Sequence, residues 1–207
     1  GYELTPPRRA MMNASIPYYI YGLQLLAKKG SSILTTWADL KNANVRHPLR
    51  VGVLTGSAAE TYMRTFCRES SAKVTCEVIG YDGNTDAMRE VETGKLDGAL
   101  EDTPIATFYA PRFPSLVFIG KPVSEGYYVI YARKGEPALI QAVNAALISM
   151  IRDGELEGIY REYGIWNDEQ QRLSAIADSA KFYGYPETAE TGKRINGGPA
   201  KVITTGV

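Results

Sequence analysis

The chain has 207 residues, of which 44% are hydrophobic, so it is long and apolar enough for one large domain or two small lobes. Lys and Arg together number 23, as do Asp and Glu, and this balance gives no electrostatic reason to expect nucleic acid or an anionic membrane as a partner. No apolar run approaches the roughly 20 residues that a membrane helix requires.

The first quarter of the chain predicts a short helix followed by extended segments. Residues 5–14 read as a helix with Thr5 as its N-cap, because proline is tolerated in a first helical turn. Residues 18–29 form a long apolar run that predicts extended structure, and residues 37–41 predict a short helical turn. The β-branched residues of 50–54 indicate a buried strand.

From residue 50 onward, strand and helix patterns alternate. Further strands are predicted at 74–81, 98–101, 117–119 and 127–133, and helices at 57–67, 84–93, 103–110, 137–152, 155–163 and 168–180. The alternation over residues 50–133 predicts an α/β fold with a mostly parallel sheet and helices on both faces. Beyond Pro186 the sequence reads as a polar loop or tail, with a final strand predicted at 201–205.

The two cysteines, Cys67 and Cys76, do not form a CxxC pair, and the single histidine, His47, is distant in sequence. These residues supply too few soft ligands for a metal site, and no cofactor is expected. A short disulfide between the cysteines is one interpretation, and two buried thiols are the other. A disulfide would place the protein outside the reducing cytosol.

A helix start is predicted where strand 50–54 ends. Ser57 and Glu60 match a capping box, and Gly56 before them lets a ligand approach the backbone closely. Free N–H groups and the helix dipole at such a terminus can bind a carboxylate or a phosphate. The alternative is an ordinary cap with no ligand.

Two charged residues occupy comparable positions. Arg8, at the start of the first predicted helix, can hold a carboxylate through two parallel hydrogen bonds, or it is simply solvated. Asp102 follows a strand, where open α/β sheets bind ligands, and it either receives a ligand ammonium or caps the next helix. Its neighbour Glu101 is expected to point the other way. Together Arg8, Ser57 and Asp102 could hold both ends of a zwitterion.

The chain resembles the amino-acid-binding family of periplasmic solute-binding proteins of ABC importers. The resemblance rests on ordered segments that cover roughly residues 1–165. Residues 1–19 are similar to the family pattern T-x-E-R…F-S-x-P-Y-Y, residues 37–53 to S-x-x-D-L…V-G-V, residues 94–99 to G-x-x-D-A, and residues 151–164 to D-G-T…I-Y-x-K-W-F-G.

The resemblance implies a two-lobed, type II periplasmic-binding-protein-like fold with an incomplete first lobe. Residues 1–17 and 131–207 would form lobe 1, residues 23–125 lobe 2, and residues 18–22 and 126–130 the hinge crossovers. Family chains normally begin well before this segment, so we expect the preceding part to be missing or disordered, with a cleaved fragment or a permuted chain as alternatives. We expect no signal peptide within this segment.

The resemblance also assigns roles to matching residues. Arg8 would bind a ligand α-carboxylate, Ser57 and the backbone of Ala58 would bind the same group, and Asp102 would bind the α-ammonium. Thr55 and Glu3 complete the candidate ligand-binding set. Glu3 departs from the family, which usually has threonine there, and a carboxylate at that position would repel an acidic ligand group.

The resemblance implies a non-enzymatic function, the periplasmic capture of a small polar, amino-acid-like ligand for ABC transporter membrane subunits. One alternative is an accessory partner of a periplasmic quinoprotein alcohol dehydrogenase. Another is a dehydratase-like enzyme on the same fold, with Glu3 or Glu101 as general acid. No nucleic acid and no membrane insertion are expected.

Overall fold

The computed structural model describes residues 1–42, 47–69 and 76–179. The chain divides into two compact units. Unit 1 comprises Gly1–Tyr21 and the described residues from Glu125 onward, and unit 2 comprises Gly22–Ser124. The lobe and hinge boundaries named above stay predictions.

Unit 2 contains all or part of five strands: β3 (Tyr19–Lys28), β4 (Leu49–Leu54), β5 (Cys76–Tyr81), β6 (Gly98–Asp102) and β7 (Leu116–Val129). Within a six-stranded sheet, these five strands follow the order β7-β3-β6-β4-β5. Its helices are α2 (Trp37–Asn42), α3 (Ala58–Glu69), α4 (Asn84–Glu92) and α5 (Thr103–Tyr109), with a 3₁₀ turn at Ala110–Arg112. β3 begins in unit 1 and β7 ends there.

The sheet of unit 2 is mixed rather than mostly parallel. β4 pairs in parallel with both β5 and β6, because helical crossovers connect these strands. β6 pairs with β3 in the antiparallel direction. The parallel pairing predicted over residues 50–133 is therefore present among β4, β5 and β6, whereas the antiparallel strand β3 lies outside that range.

Helix α4 packs directly on this sheet. Ala87 and Val91 of α4 form a buried cluster with Leu96 and Ala99. A Cβ atom added at Gly52 would lie 2.9 Å from the Cβ of Ala87, so the helix approaches β4 closely because that position lacks a side chain. The packing of α4 thus stabilises β4 and β6. The polar residues that follow these two parallel strands lie at the same end of the sheet.

Unit 1 contains shorter strands and the C-terminal helices. Its elements, besides the parts of β3 and β7, are β1 (Tyr2–Glu3), α1 (Pro6–Met11), β2 (Met12–Ala14), β8 (Tyr131–Arg133), α6 (Pro137–Arg152), α7 (Glu155–Glu162) and α8 (Arg172–Ser179), with a 3₁₀ turn at Asp168–Gln171. β1 pairs antiparallel with the end of β7, and β2 pairs antiparallel with β8. Helix α6 contacts α7, α8, β2 and β8.

Two local predictions in unit 1 and β7 were wrong. The helix predicted over 5–14 ends at Met11, because residues 12–14 pair with β8 instead. Residues 117–119 and the start of 127–133 belong to one strand, β7, which continues through Gly120 and Ser124 although both have positive φ. In both cases, backbone hydrogen bonds to a neighbouring strand determine the structure, and a local sequence pattern does not reveal that pairing.

Most other elements agree with the sequence. The extended run at 18–29, the helical turn at 37–41 and the helix at 137–152 are confirmed as β3, α2 and α6. The predicted loop after Pro186, the final strand at 201–205 and the start of the strand at 74–81 lie outside the described residues.

Candidate functional site

Arg8 pairs with a carboxylate of its own chain. Its Nη1 atom donates to Oε2 of Glu3 at 2.5 Å and to the Glu3 carbonyl oxygen at 3.2 Å. The Glu3 residue is 6% exposed, because β1 pairs it with Tyr128 of β7. The pair is therefore a partly buried, charge-assisted contact, a class of hydrogen bond stronger than neutral ones.

Two tyrosines complete the surroundings of this pair. The hydroxyl of Tyr131 donates to the Glu3 carbonyl oxygen at 3.1 Å and accepts from the Thr5 backbone N–H at 3.4 Å. Burial raises the pKa of Tyr131, so its hydroxyl keeps its proton at neutral pH. The Arg8 guanidinium lies 5.7 Å from the ring centroid of Tyr2. These contacts fix the start of α1, a helix that begins with two prolines and has no side-chain cap from Thr5.

Ser57 uses its hydroxyl to start α3. Its Oγ accepts from the Glu60 backbone N–H at 3.2 Å and donates to the Leu54 carbonyl oxygen at 2.7 Å. Gly56 has φ +73°, which glycine adopts at little cost and which turns the chain from β4 into the helix. Thr55 is exposed and Ser57 is buried, with Ala58 between these limits. The predicted N-cap is confirmed.

The second half of the capping box differs from the usual pattern. The carboxylate of Glu60 accepts from the Gly56 backbone N–H at 2.7 Å, one residue earlier than the N-cap N–H that such a glutamate normally reaches. This bond, together with Arg64, lowers the pKa of Glu60. A negative charge of the chain itself therefore lies at the helix start.

Asp102 ends β6 and directly precedes α5. Asp102 occupies the N-cap position of α5, but its side chain makes no capping hydrogen bond there. The adjacent Thr103 hydroxyl accepts from the Gly22 backbone N–H at 3.2 Å. Asp102 is half-buried at the carboxyl end of its strand.

Glu101, the preceding residue, is 2% exposed. Its Oε1 has no hydrogen-bond partner in the part of the chain that the structure describes. Desolvation, with a smaller contribution from the Asp102 charge, raises the pKa of Glu101 well above the ordinary glutamate value. Glu101 is thus a core carboxyl with a perturbed pKa, a property that sequence pattern alone did not indicate.

The structure brings the candidate residues together in two sets. Unit 1 holds Arg8 and Glu3 in contact. In unit 2, the 55–58 turn and Asp102 lie at the same end of the sheet, because they are at the carboxyl ends of the parallel strands β4 and β6. A joint site formed by both sets stays a prediction.

Sequence reasoning named Glu3 and Glu60 but missed the partners of their carboxylates. It treated Glu3 as a repulsive neighbour of a ligand rather than as the partner of Arg8. It assigned Glu60 to a capping box without its bond to Gly56. The five-residue separation of Glu3 and Arg8 does not by itself predict an ion pair. Their contact depends on the turn between β1 and α1.

The described residues also test the disulfide interpretation. The disulfide between Cys67 and Cys76 is present and connects the last turn of α3 with the start of β5. Within residues 1–42, 47–69 and 76–179, no group of three or more His, Cys, Asp or Glu side chains could hold a metal ion. None of the helices in these ranges is long and apolar enough to span a membrane.

Comparison with known proteins identifies the family. A putative ABC transporter arginine-binding protein 2 from Escherichia coli (strain K12) is 27% identical over 168 residues, which are 79% of this chain and 63% of that protein. The chain spans about three fifths of the length of the curated relatives that it matches.

Solved structures of amino-acid-binding proteins are similar to this chain in fold. An ancestral arginine-binding protein bound to arginine superposes with a TM-score of 0.66 at 26% identity, over 78% of this chain and 68% of that one. An ancestral amino acid-binding protein described as a precursor of cyclohexadienyl dehydratase gives a TM-score of 0.67 at 26% identity, over 79% of this chain and 66% of that one. The fold is the two-lobed α/β fold of type II periplasmic binding proteins. The family model of the bacterial extracellular solute-binding proteins, family 3, matches residues 1–165, and the chain belongs to that family.

Proposed function

We propose that this protein binds a small polar, amino-acid-like ligand in the periplasm and delivers it to the membrane subunits of an ABC importer. The observation that carries the proposal is the position of Ser57 and Asp102 at the carboxyl edge of parallel strands, in a member of a solute-binding family. The arginine-binding relative from E. coli and the arginine-bound ancestral structure support an amino-acid-like ligand.

In this proposal each candidate residue has a chemical role. Asp102 accepts hydrogen bonds from a ligand ammonium, and the Ser57 turn, with Thr55 and the Ala58 backbone, contacts the polar end of the ligand. Arg8 is the candidate partner of a ligand carboxylate, and Glu3 lies against it.

Isothermal titration calorimetry on the full-length protein tests this function. The ligand panel contains the common amino acids and the amines formed by their decarboxylation. We expect one class to bind, and we expect Asp102→Asn and Arg8→Ala each to weaken binding at least about tenfold. Asp178→Asn and Arg161→Ala are matched controls, because both residues form exposed ion pairs away from the candidate residues. Absence of binding across the panel at millimolar concentration would refute the proposal.

The two alternatives have weaker support. None of the relatives described above is named as a dehydrogenase partner, so the accessory-protein hypothesis rests on no comparison. For catalysis, Glu3 is paired with Arg8 and Glu101 is 2% exposed, which leaves neither in an environment suited to a general acid that meets substrate. A Glu3→Gln variant that retained binding but lost turnover of a cyclic dienol would favour the enzyme.

A further inference from the structure

A short segment near the end of the described chain contacts both strands that run from one unit into the other. Within the described residues, the chain changes unit between residues 21 and 22 in β3 and between residues 124 and 125 in β7. On the unit 1 side of both positions, β3 and β7 meet residues 167–172, which we call the strap. The strap contains the 3₁₀ turn Asp168–Gln171 and the first residue of α8, and it lies beyond the residues that the family model matches.

Gln170 of the strap pairs with β3 through its side chain, in the way that a neighbouring strand would through its backbone. Its Oε1 accepts from the Ile20 N–H at 2.9 Å, and its Nε2 donates to the Ile20 carbonyl oxygen at 2.7 Å. Nε2 also donates to Asn167 Oδ1 at 2.8 Å, and Asn167 Nδ2 donates to the Tyr19 hydroxyl at 3.4 Å. Gln170 and Ile20 are each 1% exposed, so breaking this pairing would leave buried polar groups without partners.

Arg172, two residues further along, binds β7. Its Nη1 and Nη2 atoms donate to the two carboxylate oxygens of Glu125 at 2.5 Å and 3.0 Å, a bidentate arrangement. Glu125 also accepts from the Tyr127 hydroxyl at 2.9 Å, and Glu169 accepts from Arg172 Nη1 at 2.8 Å. The side chains of Arg172 and Glu125 are 48% and 38% exposed, and an isolated pair of this kind contributes little. Its effect therefore depends on the short connection to the buried Gln170.

The strap is also attached to the helices of unit 1. Leu173, Ile176 and Ala177 of α8 are buried, and α8 contacts α6. Six residues thus connect β3, β7 and a packed helix. Because the segment is short, it cannot move away from one strand without straining its contacts with the other two elements. Hydrogen bonds that share such a segment are expected to be energetically coupled.

We infer that residues 167–172 act as a single clamp that holds β3 and β7 on the unit 1 side of the two positions where the chain changes unit. Local opening of either strand there then requires release of the strap from both. Ser124, next to the clamped Glu125, has φ +51°, a conformation that a non-glycine residue keeps only when its surroundings hold it. The clamp does not depend on the identity of the ligand.

Amide hydrogen exchange, followed by mass spectrometry on the full-length protein, tests the clamp. The variants are Gln170→Ala and Arg172→Ala, each of which removes the direct contact to one strand only. Because the two contacts act together, we expect each variant to speed exchange at least about tenfold in both residues 18–21 and residues 125–128. Exchange in β4 and β6 of unit 2 should stay at the wild-type rate.

Asp178→Asn is the matched control, because Asp178 lies in α8 but forms an exposed ion pair with Arg152. Its exchange rates in both strand segments should equal those of the wild type. Arg172→Ala is the more informative variant, since replacing a half-exposed side chain leaves the core intact. Faster exchange in residues 125–128 alone, with Gln170→Ala affecting residues 18–21 alone, would show independent contacts and overturn the inference. Equal acceleration in β4 and β6 would show general destabilisation and would also overturn it.

Discussion

The buried carboxyl of Glu101 should make this protein less stable as the pH rises. Glu101 is 2% exposed, and its Oε1 atom has no hydrogen-bond partner among the described residues. Desolvation and the neighbouring Asp102 charge raise its pKa in the folded state. The folded protein therefore retains a proton on Glu101 at pH values where the unfolded chain has released it.

The sign and the size of the effect follow from proton linkage. Below about pH 4.3 both states are protonated at this residue, and Glu101 adds no pH dependence. Between that pH and the raised pKa of the folded state, the unfolded chain binds fewer protons, so the free energy of unfolding falls by about 1.4 kcal/mol per pH unit. A loss of this size for each pH unit is large against the ~5–15 kcal/mol that stabilise a typical domain. Above the raised pKa the loss is complete and the curve levels off.

Urea unfolding at a series of pH values from about 4 to about 8 measures this effect. The perturbation is Glu101→Gln, which keeps the side-chain volume and cannot ionise. We expect wild type and variant to have similar free energies of unfolding near pH 4. As the pH rises, we expect the wild type to lose stability relative to the variant, because only the wild type must keep a proton on residue 101. Glu157→Gln serves as control for the loss of an exposed carboxylate. Wild-type and Glu101→Gln curves that stay parallel across the whole range would refute the reasoning.

Three further predictions concern single contacts. Gln170 accepts a hydrogen bond from the Ile20 N–H at 2.9 Å and donates one to the Ile20 carbonyl oxygen at 2.7 Å. Because Gln170→Leu leaves both buried backbone groups unpaired, it should lower the free energy of unfolding by about 2–4 kcal/mol in urea titrations. An effect below about 0.5 kcal/mol would contradict this prediction. Replacing Cys67 and Cys76 together by serine should cost about 2–3 kcal/mol by the same measurement, and added reductant should then have no effect on the variant. Ser57→Ala should cost about 1 kcal/mol because the first turn of α3 loses its cap, and Ser57→Thr should recover most of it.

The element pattern of this chain was largely predictable because it depends on local periodicity. Helix α6 has the predicted bounds, since proline marks its start and an Asp-Gly pair marks its end. The strand at residues 12–14 was not predictable, because its pairing partner, β8, lies more than a hundred residues away. β7 was divided at its glycines for the same reason: the ladder that keeps it extended belongs to its neighbours.

The candidate site shows the same division. Ser57 and its cap were predictable from a four-residue pattern, and Asp102 from its place after a strand. The pairing of Glu3 with Arg8 and the reach of Glu60 to Gly56 depend on turn geometry that residue spacing does not specify. Gln170 lies beyond the residues that the family model matches, and its contact with β3 became visible only in the folded chain.

The sequence by itself determined the α/β class, the resemblance to family 3 and the residue types that could recognise a charged ligand, because these depend on short-range pattern and composition. Only the tertiary structure decided which of those charges already have partners. A carboxylate and a guanidinium attract each other whenever the backbone brings them within reach, and backbone pairing between distant strands controls that distance.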